Sequence, residues 1–210
     1  MTTLLYVEAS PRKQRGASIE VAHTFLDAWR AAHPDGQVDT LDVWSTPLPE
    51  FDGAALDAKY AGIAGTPLTA VQGRAWAAIR ALASRFQRAD RLLFAIPMWN
   101  FSIPYRLKHL IDCVSQKDLL FTFDEHGLKG ALNARRAAVI YARGIDYDAD
   151  SATPAAHWDL QRSYMELWLR FVGVEDIATV EVEKTFFGPE VDGAAREAAK
   201  ARAREIAARF

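Results

Sequence analysis

The 210 residues contain one cysteine, Cys113, which excludes a disulfide framework and a cysteine-based zinc site and suits a reducing compartment. The five histidines, His23, His33, His109, His126 and His157, fall at no metal-ligand spacing. No stretch approaches the ~20 consecutive apolar residues of a membrane span. The opening Met1-Thr-Thr-Leu-Leu-Tyr-Val-Glu has neither the basic nor the long apolar region of a secretory signal. Neither sign of charge dominates: 25 Lys and Arg against 27 Asp and Glu leave a net −2, which argues against a general polyanion binder. The Gly-x-x-x-x-Gly-Lys-Ser/Thr phosphate loop, the Gly-x-Gly-x-x-Gly fingerprint and the Gly-x-Ser-x-Gly nucleophile elbow are all missing. The expectation is a cytoplasmic protein with no membrane or nucleic-acid partner and no side-chain nucleophile.

What is present reads as one packed unit over residues 1–210, half apolar and a quarter charged. Leu4 to Ala9 is a short apolar run closed by Ser10-Pro11, a buried strand. A helix begins near Ser18, with Ala22, Phe25, Leu26 and Trp29 at helical spacing, and His33-Pro34-Asp35-Gly36 stops it. Val38–Val43 is a second strand. Residues 44–68 read as irregular, with at most a small helical turn around Leu56–Tyr60. A long helix carries Val71, Ala75, Ile79, Leu82 and Phe86 on one face. Arg91–Ile96, Arg136–Tyr141 and Ile177–Val182 are the remaining strands, the first almost continuously apolar, as expected for a strand covered on both faces. Helices fall between them: one with Leu107, Leu110, Ile111 and Val114, one from Ala156 to Val172, and a last from Pro189 to Arg209. Leu119–Phe123 is a short hairpin or flap.

Strands alternating with helices imply a parallel sheet with helices on both faces. The spacing suits an α/β, three-layer, flavodoxin-like sandwich whose five-stranded parallel sheet has order 2-1-3-4-5. Ligands then sit beyond the carboxyl ends of the strands, at the switch point between strands one and three. Three peculiar segments meet there. Ser10 to Ser18 joins a strand to a helix N-terminus, where free amides and the helix dipole favour an anion; a plain solvated loop with Ser18 as N-cap is the alternative. Pro97-Met98-Trp99-Asn100-Phe101 offers apolar walls for a flat heteroaromatic ligand, or else core or subunit-interface residues. Arg143-Gly144-Ile145-Asp146-Tyr147 brings a glycine that admits close backbone approach and a tyrosine that either stacks on a ligand or caps the core.

Taken together, Ser10-Pro11-Arg12 with Ser18, then Pro97-Met98-Trp99-Asn100-Phe101-x-Ile103-Pro104-x-x-Leu107-Lys108-x-x-Ile111-Asp112, then Phe121-x-Phe123-x-x-x-Gly127, resemble the FMN-dependent NADH:azoreductases, which are flavodoxin-like NAD(P)H:quinone oxidoreductases. Gly173 and Glu181-x-x-Lys184-x-x-x-Gly188-Pro189-Glu190 extend the likeness nearly end to end. The resemblance implies a homodimer with one FMN per subunit, reduced by NADH or NADPH and reoxidised by a quinone or azo compound in two alternating hydride transfers at flavin N5. It assigns Ser10, Arg12, Gly16, Ala17 and Ser18 to the phosphate, and Pro97, Met98, Trp99, Asn100 and Phe101 to the isoalloxazine. Arg143 and Gly144 fall to its pyrimidine side, and Phe121 and Phe123 to a flap over the substrate. Tyr147 is expected at the same crevice as a substrate contact from its place in the loop after strand four. This chain departs from the family where Gly16 replaces a frequent serine, and where Ala142-Arg143-Gly144-Ile145 replaces Ser-Arg-Gly-Gly. A flavin-binding electron carrier or regulatory protein without turnover is the second reading; the long 44–68 segment and the flap favour an enzyme.

Overall fold

The computed structural model describes residues 2–210. Five parallel strands form the central sheet: β1 (Thr3–Glu8), β2 (Gln37–Asp42), β3 (Arg91–Pro97), β6 (Arg136–Ala142) and β7 (Asp176–Val182). Their spatial order is β2-β1-β3-β6-β7, the expected 2-1-3-4-5 when only the strands of this sheet are counted. The intervening β4 (Phe121–Asp124) and β5 (Gly127–Gly130) form a separate antiparallel hairpin.

Successive strand residues point to opposite faces, and both faces are covered. Leu4, Tyr6, Leu93, Ala95 and Ile140 pack against α1 (Ala17–Ala32) and α7 (Pro189–Ala207). Leu5, Val7, Phe94, Ile96, Val139 and Tyr141 pack against α3 (Ala70–Arg88), α4 (Tyr105–Val114) and α6 (Leu160–Phe171). Each helix inserts the stripe its spacing sets out: Ile19, Ala22, Phe25 and Trp29 from α1, and Ile79, Leu82 and Phe86 from α3. Val71, two turns before Ile79 on α3, is left exposed. No helix among the described residues is long and apolar enough to cross a membrane.

Two expectations change. The segment 44–68 is not irregular throughout: α2 (Gly53–Ala64) is a full helix, started by the Asp52 carboxylate accepting from the Ala55 amide. It escapes a periodicity reading because it buries only Ala55 and Ala58, leaving no stripe of large apolar residues. The expected 156–172 helix is broken into α5 (Ala155–Trp158) and α6. Asp159 causes the break: it leaves helical geometry and caps α6 by accepting from the Arg162 amide at 2.8 Å.

Candidate active site

At the carboxyl ends of β1, β3 and β6 three loops converge, as the topology requires. After β1, Lys13–Arg15 forms one 3-10 turn and Gly16 begins α1 without any side-chain cap. Lys13 takes a left-handed conformation (φ 51) and its ammonium pairs with Glu8 and Asp42, clasping the ends of β1 and β2. Ser10, Gly16, Ala17 and Ser18 are all buried. Ser18 lies in the first turn of the helix and not at its N-cap, which removes the plain capping alternative. Its hydroxyl is buried and has no hydrogen-bond partner among the described residues. Neither have the backbone amides of Ala17, Ser18 and Ile19. Arg12 and Arg15 stand exposed beside them and join no ion pair among the described residues. A buried unpaired hydroxyl costs about 1–3 kcal/mol, so this donor set suits an anion at a helix N-terminus. Gly16 also has a local reason. A Cβ there would come within 2.9 Å of Ser10 Oγ, so the serine frequent in the resembling family would collide in this arrangement.

After β3, Trp99 and Ser102 exchange two backbone hydrogen bonds, 2.9 and 3.0 Å, around a tight turn. Asn100 (φ 47) and Phe101 (φ 68) both occupy left-handed backbone, uncommon for non-glycine residues and typical of functional loops. Their amides make no hydrogen bond among the described residues. Met98 N–H donates to Ala142 O, continuing the β3–β6 pairing into the loop. Aromatic rings hold the turn on both sides: Trp99 lies 5.6 Å from Trp44 and 6.3 Å from Tyr105, and Phe101 lies 5.2 Å from Trp158. Trp44, unassigned on sequence, is itself fixed by its indole N–H donating to Ala9 O at 2.9 Å. Its position directly after β2, at the same end of the sheet, was the available signal. An open groove of about 760 Å³ runs from Trp99 and Asn100 past Tyr105 to Tyr164, with Phe51 of the 44–68 segment on its wall.

After β6 the expectations need correction. Arg143 does not offer a free guanidinium to a ligand. It is 4% exposed and donates to Asp159 (2.5 Å), Glu183 (2.7 Å) and Gln161 (3.3 Å), with Tyr141 and Tyr147 rings against its plane. Sequence reasoning missed these partners because they lie on two later segments, the start of α6 and the residue after β7. Gly144 does allow a close approach, but the space where its side chain would point is filled from within the chain: a Cβ would lie 2.4 Å from the Phe186 ring. Tyr147 is 5% exposed and its hydroxyl donates to Met98 Sδ, so it supports the wall from behind and caps the core. Burial pushes that hydroxyl's pKa up.

The structure also separates Phe121 and Phe123 from the crevice. Their hairpin is rooted at the amino ends of the strands. Leu132 N–H donates to Val172 O, Gln87 Nε2 to Leu119 O, and the Phe121 ring packs 4.7 Å from Phe171 at the end of α6. Phe123 projects outward, 59% exposed. Cys113 is buried with its thiol toward Pro49 O, and burial, with Asp112 and Glu50 nearby, pushes it up to about 11, so it is a protonated core residue at neutral pH.

Comparison with known proteins agrees with this geometry. The flavodoxin-like fold family matches residues 2–207. The chain is 58% identical over 189 residues to the FMN-dependent NADH:quinone oxidoreductase 9 of Burkholderia lata, covering 90% of each chain. It is 49% identical over 208 residues to the FMN-dependent NADH:quinone oxidoreductase 3 of Pseudomonas fluorescens, covering 99% of this chain and 96% of that one. A solved azoreductase from Bacillus anthracis superposes with a TM-score of 0.90 at 27% identity, over the full length of both. The chain therefore belongs to the flavodoxin-like family of FMN-dependent NADH:quinone oxidoreductases and azoreductases.

Proposed function

We propose that this chain is a single-domain, cytoplasmic, FMN-dependent NADH:quinone oxidoreductase that also reduces azo compounds. The observation that carries the reading is the unpaired donor set at the start of α1: the buried Ser18 hydroxyl and three free amides, with Arg12 and Arg15 alongside. A phosphate monoester satisfies all of these at once. Ser10, Gly16, Ala17 and Ser18 would hold it, and Arg12 would add positive charge at the rim.

The turn from Pro97 to Phe101 would carry the flat ring system. Met98, Trp99 and Phe101 give apolar walls, and the Asn100 and Phe101 amides give fixed donors that need no reorganisation. Gly144 contributes backbone only, and Arg143 positions that backbone through its ties to Asp159 and Glu183. When bound, FMN supplies the two-electron chemistry, accepting hydride from NADH and passing two electrons to the acceptor in a second, separate encounter. The protein binds, orients and excludes water; no side chain is required as a nucleophile.

The groove beside Trp99 favours turnover over simple electron carriage, because a carrier needs no space for an organic acceptor. The α6 stripe of Leu160, Tyr164, Leu167 and Phe171, with Leu160 and Leu167 largely exposed, supports a homodimer. In such a dimer the hairpin with Phe121 and Phe123 would serve the substrate face of the second copy. No nucleic acid or membrane takes part.

The test is direct. Protein as purified, or incubated with FMN, shows flavin absorbance; NADH bleaches it under nitrogen and a quinone restores it. A protein that takes up no FMN would falsify the reading.

A further inference from the structure

Residues 183–188 join β7 to α7 as a strap laid over the loop that follows β6. It is held at many points. The amides of Lys184, Thr185 and Phe186 donate to the carbonyls of Ile145, Arg143 and Gly144 at 3.2, 3.3 and 2.9 Å. Thr185 Oγ1 adds a bond to Arg143 O at 3.1 Å. Lys184 Nζ lies 3.0 Å from Asp146 and 2.9 Å from Asp148. Glu183 takes the Arg143 guanidinium at 2.7 Å.

A strap fixed this firmly presents an aromatic ring that lies beside Gly144 and is otherwise largely open to solvent. Phe186 lies against Gly144 on its inner side, yet 78% of the residue is exposed. That combination has no use in the core, since the ring buries little area. It also has no role in holding the strap, which the polar bonds above accomplish. The strap is bonded to Gly144, two residues after Ala142, whose carbonyl accepts from Met98 N–H, so the strap and the Met98–Phe101 turn flank the same loop after β6.

We propose that Phe186 is a specificity-determining residue for the electron acceptor: its exposed ring is an outer wall that selects acceptors with two or three fused or linked aromatic rings over single-ring ones. The proposal rests on the flavoenzyme reading above. A one-ring acceptor stacked beside the Met98–Phe101 turn ends before this wall. A larger one extends past the turn and gains an offset or edge-to-face aromatic contact.

The experiment uses the FMN-loaded protein and two acceptors, a one-ring benzoquinone and a three-ring anthraquinone sulfonate. In Phe186→Ala, kcat/KM for the anthraquinone falls about fivefold relative to the benzoquinone, mainly through KM, as loss of one aromatic contact requires. Phe186→Tyr restores the ratio. Phe186→Leu keeps the apolar volume without the flat face and shifts the ratio as alanine does, which carries the test should the alanine variant fold poorly. A ratio unchanged in the alanine and leucine variants overturns the proposal. So does an equal fall for both acceptors accompanied by a lower melting temperature, the mark of a merely structural ring. If the wild-type protein binds no FMN or does not oxidise NADH, the flavoenzyme reading itself fails, and the role of Phe186 falls with it.

Discussion

Around Ser10 and Ser18, after β1, a buried hydroxyl and three backbone amides have no partner among the described residues, whereas around Arg143, after β6, one guanidinium meets two carboxylates, an amide oxygen and two aromatic rings. Both corners border the same crevice and both were assigned to the same ligand on sequence. The first is incomplete without something else, and the second is complete already. Unpaired buried donors leave free energy to be gained on binding, while a paired buried charge leaves stability to be lost on mutation. A basic residue in a site loop is therefore not by itself a ligand contact; its partners decide.

Four measurements can break that contrast. The largest effect falls on the completed corner. Arg143→Ala strands Asp159 and Glu183 without their cation and should cost about 3–5 kcal/mol of stability in denaturant unfolding. A loss below about 1 kcal/mol would mean that the guanidinium is solvated and free, as a ligand contact would be. Next comes the incomplete corner. Ser18→Ala should raise the folding stability of the FMN-free protein by about 1–3 kcal/mol, because it removes a buried hydroxyl without a partner, but weaken FMN binding about tenfold, read by flavin fluorescence titration. Equal FMN affinity would remove Ser18 from the phosphate site. A smaller effect tests the rim: Arg12→Gln should weaken FMN binding about threefold at low salt and less at high salt, since an exposed charge is screened.

The smallest effect is on pH. Burial alone would raise the Asp42 carboxyl, but Lys13, the Ser45 hydroxyl and the Trp44 amide outweigh it and hold it below its ordinary value. A carboxylate depressed in the folded chain contributes stability above its unfolded value of about 3.9 and loses it as pH falls through the folded value. The clasp from Lys13 should therefore hold at neutral pH and release only below about pH 4, with FMN release following. Asp42→Asn should remove that acid step; a wild-type release curve in this variant would show that the clasp does not hold the loop.

Much of this molecule was legible in its sequence because short apolar runs, helical stripes and proline-bounded loops are local signals. The strand order followed from alternation and spacing, and the convergence of the Ser10 and Met98 loops followed from the order. What stayed hidden is non-local. The partners of Arg143 lie on α6 and after β7, and no spacing rule connects them to it. The Phe121–Phe123 hairpin was placed at the crevice by its likeness to the family, but its chain neighbours, the end of α4 and the start of β6, tie it to the opposite end of the sheet. The α2 helix buries only alanines, so it carries no periodic contrast to detect. At Gly144 a point of close approach could be read locally, but not that the Phe186 ring fills the space a Cβ would take, because Phe186 is more than forty residues away.

The turn at Trp99–Ser102 has a consequence that is read in time and not in distance. Its two outer amides are locked in reciprocal bonds, while the two inner ones, on Asn100 and Phe101, face outward from left-handed backbone. Hydrogen exchange over these four consecutive residues should thus alternate sharply, slow at Trp99 and Ser102 and fast between them. A ligand that accepts from the inner pair would erase the alternation, leaving a kinetic imprint confined to two neighbouring amides.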